Sequence, residues 1–545
     1  MLITITFLPI NIKIQAEAGS NLFQTARENG IGISGVCSGN KTCGKCKVLI
    51  TKGKQKEFKK EESEFLTKKE LEQGIRLACC FLVCEDTCVI LPEEETEHRY
   101  GFKDDFTTDS HPMLKGKSED SDSINEEDLN KDRSNKFIYG ISFDIGTTSV
   151  AAELWNLATG KSLSQISTLN PQSSYGADVI SRITYAISNT KNREKLTMLI
   201  RQCCNRLIHD LAEDCKINLT DICKATAAGN TTMTHLFLDR PVDTLSKVPF
   251  IGISYEGEER KPSDMGFDMN EKGVIYVLPG IGGHVGSDTL GCIISSGIYD
   301  TRETILIVDI GTNGEIVLAR GGKLTVCSTA AGPAFEGAAL YQGMRAVKGA
   351  ITQVKINSNG SISTEYIGSD IPGIKPEGIC GSGIIEAASE LLKNDMMDIT
   401  GRLLGEAGDK NYISLWKEGN KEVRVTQKDI RELQLAKGAV YAGMKILLNY
   451  EGINFDDLDK IYLAGAFGTN LNVEKAIHIG LIPDIDPDKY RYIGNGALAG
   501  AAMLLLNKIT WEAAEQIAKT ASHLELALRE DFEEEFMNAV SFPER

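Results

Sequence analysis

Seven of the fourteen cysteines fall between Cys37 and Cys88. Cys37, Cys43 and Cys46 share one short loop, and Cys79 and Cys80 follow as a pair. Thiolates gathered in this way hold soft metal ions or iron–sulfur clusters. The loop is one residue longer than the plant-type C-x4-C-x2-C run that ligates a 2Fe-2S cluster. Gly39 and Gly44 let it turn with its amides toward sulfide. Cys37, Cys43 and Cys46 are therefore expected as ligands, with Cys79 as the fourth and Cys80 as its rival. A zinc knuckle or a set of buried thiols is the competing reading. Cys84 and Cys88 read as core residues of a strand, or as alternative ligands. The other seven cysteines are scattered and read as small buried hydrophobes.

A second chemistry appears twice downstream, in Asp144-Ile145-Gly146-Thr147-Thr148 and in Asp309-Ile310-Gly311-Thr312-Asn313. An aspartate at a strand end followed by Gly-Thr presents small side chains and backbone N–H groups to a polyphosphate. Asp144 and Asp309 are expected to hold Mg2+ through water, because that ion keeps most of its own hydration. Gly146 and Gly311 keep the approach open, while Thr147, Thr148, Thr312 and Asn313 bond phosphate oxygens. The glycine-rich stretch with Gly465 and Gly468 can lie against adenine and ribose, where a side chain would collide. Asp288 and Glu336 sit in further glycine-rich loops and are candidates for orienting an attacking water. A solvated or structural carboxylate is the plain reading of each. His284 reads as a satisfied loop histidine. Gly381, Ser382 and Gly383 open a helix whose amides can meet phosphate.

The elements that must carry these residues divide the chain. At 545 residues it is too long for one core. Residues 1–93 read as a small α+β unit. Ile3, Ile5 and Phe7 alternate as in a strand, residues 21–29 form a helix, and a strand follows the cysteine loop at 47–50. Residues 94–136 form an acidic, nearly apolar-free linker that cannot bury enough surface to order itself. From 137 to 545 a pattern of strand, Asp-Ile-Gly-Thr loop, strand, turn, strand occurs twice. That duplication suggests two similar α/β lobes around a cleft. The net charge of −17 argues against nucleic acid as the main partner. No apolar run reaches the length of a membrane span and the N-terminus lacks a signal peptide, so a cytoplasmic location is expected.

With these residues in view, the chain resembles the reductive activators of corrinoid proteins. The resemblance runs from the cysteine loop through both Asp-Ile-Gly-Thr motifs to Ala228-Gly229-Asn230-Thr231-Thr232-Met233, Gly378-Ile379-Cys380-Gly381-Ser382-Gly383 and the segment 463–468. It implies an N-terminal β-grasp ferredoxin domain and a duplicated RNase H-like ATPase domain of the actin, sugar kinase and heat-shock chaperone superfamily. It also implies a 2Fe-2S cluster on Cys37, Cys43, Cys46 and Cys79, and ATP held by Asp144, Asp309 and Gly465. The implied activity is ATP-dependent reduction of an inactive Co(II) corrinoid protein to Co(I), which restores methyl transfer. The implied partners are that corrinoid protein and a low-potential electron donor, with homodimerisation a family expectation. ATP is needed because a plant-type cluster sits near roughly −400 mV, too high for the cobalt couple. Each ~59 mV of shortfall costs a factor of ten in a one-electron equilibrium. Two departures stand out. The extra middle domain of some members is expected to be missing here, its place taken by the linker. Cys80, Cys84 and Cys88 exceed the usual ligand set. Other clients of the same parts are a radical dehydratase, or no client at all in a redox-sensing kinase-like ATPase.

Overall fold

The computed structural model describes residues 2–8, 12–29, 31–33, 37, 39–53, 60–91, 138–337, 339–404, 411–465 and 471–544. The expected linker and Gly468 lie outside the described residues. Two compact units result. One holds the described residues of Met1–Asp109, Ser118–Leu278 and Leu504–Lys508, the other those of Pro279–Met503 and Ile509–Arg545.

The first unit opens with a five-stranded sheet. Its order is Ile12–Glu17, Leu2–Leu8, Thr87–Ile90, Lys47–Lys52, Ile75–Leu77. The earliest strand, Leu2–Leu8, lies parallel to Thr87–Ile90 at the centre, which is the β-grasp arrangement. Alternation put Ile3, Ile5 and Phe7 on one face, and all three are buried. The expected helix forms as Leu22–Glu28, with the Asn21 side chain accepting from the Gln24 N–H at its start. Leu22, Phe23 and Ala26 pack into the core from that helix. Cys88 lies on the strand Thr87–Ile90, as expected, but it is half-buried and outside the core. Cys84 corrects the expectation: it follows the short strand Leu82–Val83 and is exposed.

The duplication is visible strand by strand. In the first unit Tyr139–Ile145, Ser149–Asn156 and Lys161–Leu169 form an antiparallel meander. Ile222–Gly229 then returns parallel to Tyr139–Ile145, and Val274–Val277 lies beyond it. In the second unit Ile305–Ile310, Gly314–Arg320 and Lys323–Thr329 repeat the meander, followed by Lys460–Ala464 and Tyr490–Gly494 in parallel. Numbered along the chain, both sheets read 3-2-1-4-5, with one short extra strand at an edge. Strands covered on both faces need continuous apolar runs, and Ile305-Leu306-Ile307-Val308 is one, fully buried. Helix Thr190–Cys215 packs on the first sheet through Leu199, Ile200, Leu207 and Ile208. Helix Gln427–Tyr450 packs on the second and starts in a capping box at Thr426 and Asp429. No described helix is long and apolar enough to cross a membrane.

Candidate cluster site and nucleotide loops

The cysteine thiols meet in two pairs. Cys37 Sγ lies 3.3 Å from Cys43 Sγ. Cys46 Sγ lies 3.2 Å from Cys79 Sγ. Among the described residues no three or more His, Cys, Asp or Glu side chains gather as a single metal centre. A 2Fe-2S cluster takes four thiolates, two on each iron, so this donor set fits it. Cys80 is fully buried behind Cys79, with its Sγ 3.9 Å from Cys79 Sγ and outside both pairs. Burial opposes ionisation of Cys37, but hydrogen bonds from Thr42, Cys43 and Gly39 outweigh it and lower the thiol to about 7. The hydrogen bond to Cys46, and then burial, raise Cys79. Burial, and then the charge of Cys79, push Cys80 up to about 12.

The surrounding fold holds these sulfurs in place. Gly44 has φ +66°, and a Cβ there would come within 2.6 Å of the Phe65 ring, so only glycine fits. The Asn21 side-chain amide donates to the Cys79 carbonyl at 2.9 Å. Ala78 N–H donates to the Cys46 carbonyl at 2.8 Å. Behind them Arg76 forms a buried bidentate pair with Glu62, at 2.9 and 2.6 Å. The same Glu62 carboxylate accepts from Leu77 N–H at 3.2 Å. The helix Lys60–Phe65 is thereby fixed to the strand that leads into Cys79.

In the first unit Asp144 lies one residue before the end of its strand, and Gly146, Thr147 and Thr148 make the turn, as expected. Three residues given no role from the sequence hold that turn. Asn170 donates its amide to the Gly146 carbonyl at 2.8 Å, and its N–H to the Thr148 carbonyl at 2.9 Å. Arg182, fully buried, donates to the Thr147 carbonyl at 2.8 Å. Asn230 donates to Thr147 Oγ1 at 2.8 Å.

In the second unit Asp309 pairs across the hairpin with Glu315, a residue the sequence reading passed over. Two carboxylates placed opposite each other repel. Burial first, then the charges of Asp288 and Asp309, raise the Glu315 carboxyl well above its usual range. The Cys292 thiol donates to Asp309 Oδ2 at 3.5 Å. Gly465 has φ +85°, and a Cβ there would lie 2.4 Å from Asp309 Oδ1. Thr312 Oγ1 donates to Glu336 at 2.7 Å, and Gly311 lies beside the same carboxylate. The structure thus gathers Asp288, Asp309, Glu315 and Gly465, with Glu336 of a following loop held by Thr312. Gly381, Ser382 and Gly383 open the expected helix, Gly381–Lys393. Beside that helix start, a Cβ on Gly383 would meet the Ile351 carbonyl at 2.2 Å, and Ser382 Oγ lies 3.2 Å from Cys380 Sγ.

Three family models match this chain. Residues 5–84 match a 2Fe-2S iron-sulfur cluster binding domain. Residues 139–301 match the RACo middle region, and residues 303–545 the C-terminal domain of RACo, the ASKHA domain. The middle region expected to be missing is therefore present, and it carries the first Asp-Ile-Gly-Thr loop. The corrinoid activation enzyme RamQ of Eubacterium limosum is 37% identical over 426 residues, 75% of this chain and 71% of that protein. The [Co(II) methylated amine-specific corrinoid protein] reductase of Methanosarcina barkeri is 27% identical over 439 residues, 74% of this chain and 77% of that one. A solved reductive activator for corrinoid, iron-sulfur protein superposes with TM-score 0.69 at 30% identity, covering 99% of this chain and 98% of the other. On this likeness in sequence and fold, the chain belongs to the RACo family of reductive activators of corrinoid proteins.

Proposed function

We propose that this protein returns the Co(II) form of a corrinoid protein to Co(I), adding one electron per event at the expense of ATP. The observation that carries the reading is one chain joining two thiol pairs to two Asp-Ile-Gly-Thr folds, alongside relatives named for this activity. A 2Fe-2S cluster on Cys37, Cys43, Cys46 and Cys79 supplies the single electron. Glu62, Arg76 and Asn21 hold the segment that presents Cys79. An external low-potential donor would supply the electrons to the cluster that these cysteines hold in place. All fourteen cysteines are free, as suits a reducing, cytoplasmic setting.

Each Asp-Ile-Gly-Thr loop is suited to bind the phosphates of ATP, and Asp144 and Asp309 would each hold Mg2+ through water. Thr147, Thr148, Thr312 and Asn313 bond phosphate oxygens, and Gly465 leaves room beside Asp309. Asp288, Glu315 and Glu336 surround Asp309 and its loop with carboxylates that position the attacking water. A cation or a proton relieves the repulsion between Asp309 and Glu315, which gives the bound metal a favourable place. ATP drives the reduction only through different affinities for two states of the complex with the corrinoid protein. Asp309→Ala is expected to abolish ATP-dependent Co(I) formation while leaving the visible cluster spectrum intact. Full activity in that variant, measured anaerobically with its corrinoid partner, would remove Asp309 from the site.

A further inference from the structure

The segment 170–176 touches the phosphate loop at one end and the cluster-bearing domain at the other. At the loop end, Asn170 and Arg182 hold the carbonyls of Gly146, Thr147 and Thr148. Arg182 also donates to the Gly176 carbonyl at 2.9 and 3.1 Å and to Gln172 at 3.3 Å. Gln172 in turn donates to the Leu196 carbonyl at 3.0 Å. Asn170, Gln172 and Arg182 are fully buried, so the segment forms a bar anchored inside the fold.

At the other end Tyr175 donates its hydroxyl to the Arg27 carbonyl at 2.6 Å. The Arg27 guanidinium lies over the Tyr175 ring, 4.9 Å from its centroid, and Tyr185 backs that ring at 4.8 Å. Lys195 donates to the neighbouring Glu28 carbonyl. Both carbonyls belong to the last turn of Leu22–Glu28, where a helix welcomes donors and positive charge. The start of that helix is tied to the Cys79 segment through Asn21 and the Cys79 carbonyl.

We infer that residues 170–176 couple nucleotide occupancy of the 146–148 loop to the grip on the cluster domain, through Tyr175. The inference rests on the reading of that loop as a phosphate site. The Gly146 carbonyl shares a peptide unit with the Thr147 N–H, and the Thr147 carbonyl with the Thr148 N–H. A phosphate that accepts from those N–H groups makes the same peptides better acceptors for Asn170 and Arg182. Negative charge one layer away also strengthens the hold of Arg182. Nucleotide therefore tightens the bar and, with it, the dock of helix 22–28.

The test is hydrogen exchange of the full, cluster-loaded chain with and without a magnesium-bound, non-hydrolysable ATP analogue. Calorimetry follows nucleotide binding separately. Exchange at residues 22–29 is expected to slow by about five-fold or more, the usual scale of coupled sites. Tyr175→Phe keeps the ring over Arg27 but loses the hydroxyl. It is expected to keep the cluster spectrum, to lose the slowing, and to bind nucleotide more weakly by the same factor. Lys195→Met is expected to weaken the slowing in the same direction. Nucleotide binding with no slowing at 22–29, or slowing that survives in Tyr175→Phe, overturns the coupling while leaving the nucleotide site standing. Failure of the wild-type chain to bind nucleotide overturns the phosphate-site reading and the coupling with it.

Discussion

Individual side chains decide which sulfurs pair and which stand apart. Cys79 stands 3.2 Å from Cys46, whereas Cys80 stands 3.9 Å from Cys79 and belongs to neither pair. Cys79→Ser is expected to lose the native visible spectrum on reconstitution. Cys80→Ser is expected to keep it, because the residue contributes packing and a thiol contact with its neighbour. A native spectrum in Cys79→Ser would reverse the assignment. His235 offers a second residue-scale check. It donates from Nδ1 to the Thr231 carbonyl at 2.7 Å and accepts at Nε2 from Ile253 N–H at 3.1 Å, a pattern that needs the neutral ring. Burial lowers it to about 4. The unfolded chain then binds the proton more tightly, so this contribution is whole above about pH 6.5 and drains away as pH falls toward 4. Between pH 7 and 5 it amounts to about 2 kcal/mol. Denaturant unfolding of the first unit is expected to be less pH-dependent in His235→Gln than in wild type over that range. Equal slopes would contradict this.

At the scale of elements, the buried Glu62–Arg76 pair fastens helix Lys60–Phe65 to the strand before Cys79. Glu62→Gln leaves Arg76 buried beside a weaker partner. The expected cost is about 3–5 kcal/mol to the ferredoxin domain, seen as a lower midpoint for thermal loss of cluster absorbance. An unchanged midpoint would show that the pair is dispensable. This pair was not legible in the sequence, and the reason is general. The meanders, the helix Leu22–Glu28 and both Asp-Ile-Gly-Thr turns announce themselves through local period and small residues. Glu62 with Arg76, Asn170 with Gly146 and Arg182 with Thr147 are separated by 14, 24 and 35 residues. No local pattern links such partners. Glu315 was missed for a related reason: only the hairpin register sets it opposite Asp309. Cys84 misled because an apolar neighbourhood in sequence resembled a strand core, while the strand ends one residue before it.

On the scale of the whole molecule, two units each carry a 3-2-1-4-5 sheet with the same loop at the same place. The N-terminal domain adds the thiol pairs. An electron carrier alone would need only residues 5–84, and a nucleotide hydrolase alone only residues 139–301 and 303–545. Their union in one chain makes sense where an uphill electron transfer is tied to ATP. The most direct measurement is anaerobic. The cluster-loaded protein is mixed with a low-potential reductant and a Co(II) corrinoid protein from the same source, and the visible spectrum is followed before and after Mg-ATP. The Co(I) band is expected to grow only once Mg-ATP is present. A Co(I) band that forms equally without nucleotide would contradict ATP-dependent activation. So would its absence while the cluster stays intact and ATP is hydrolysed.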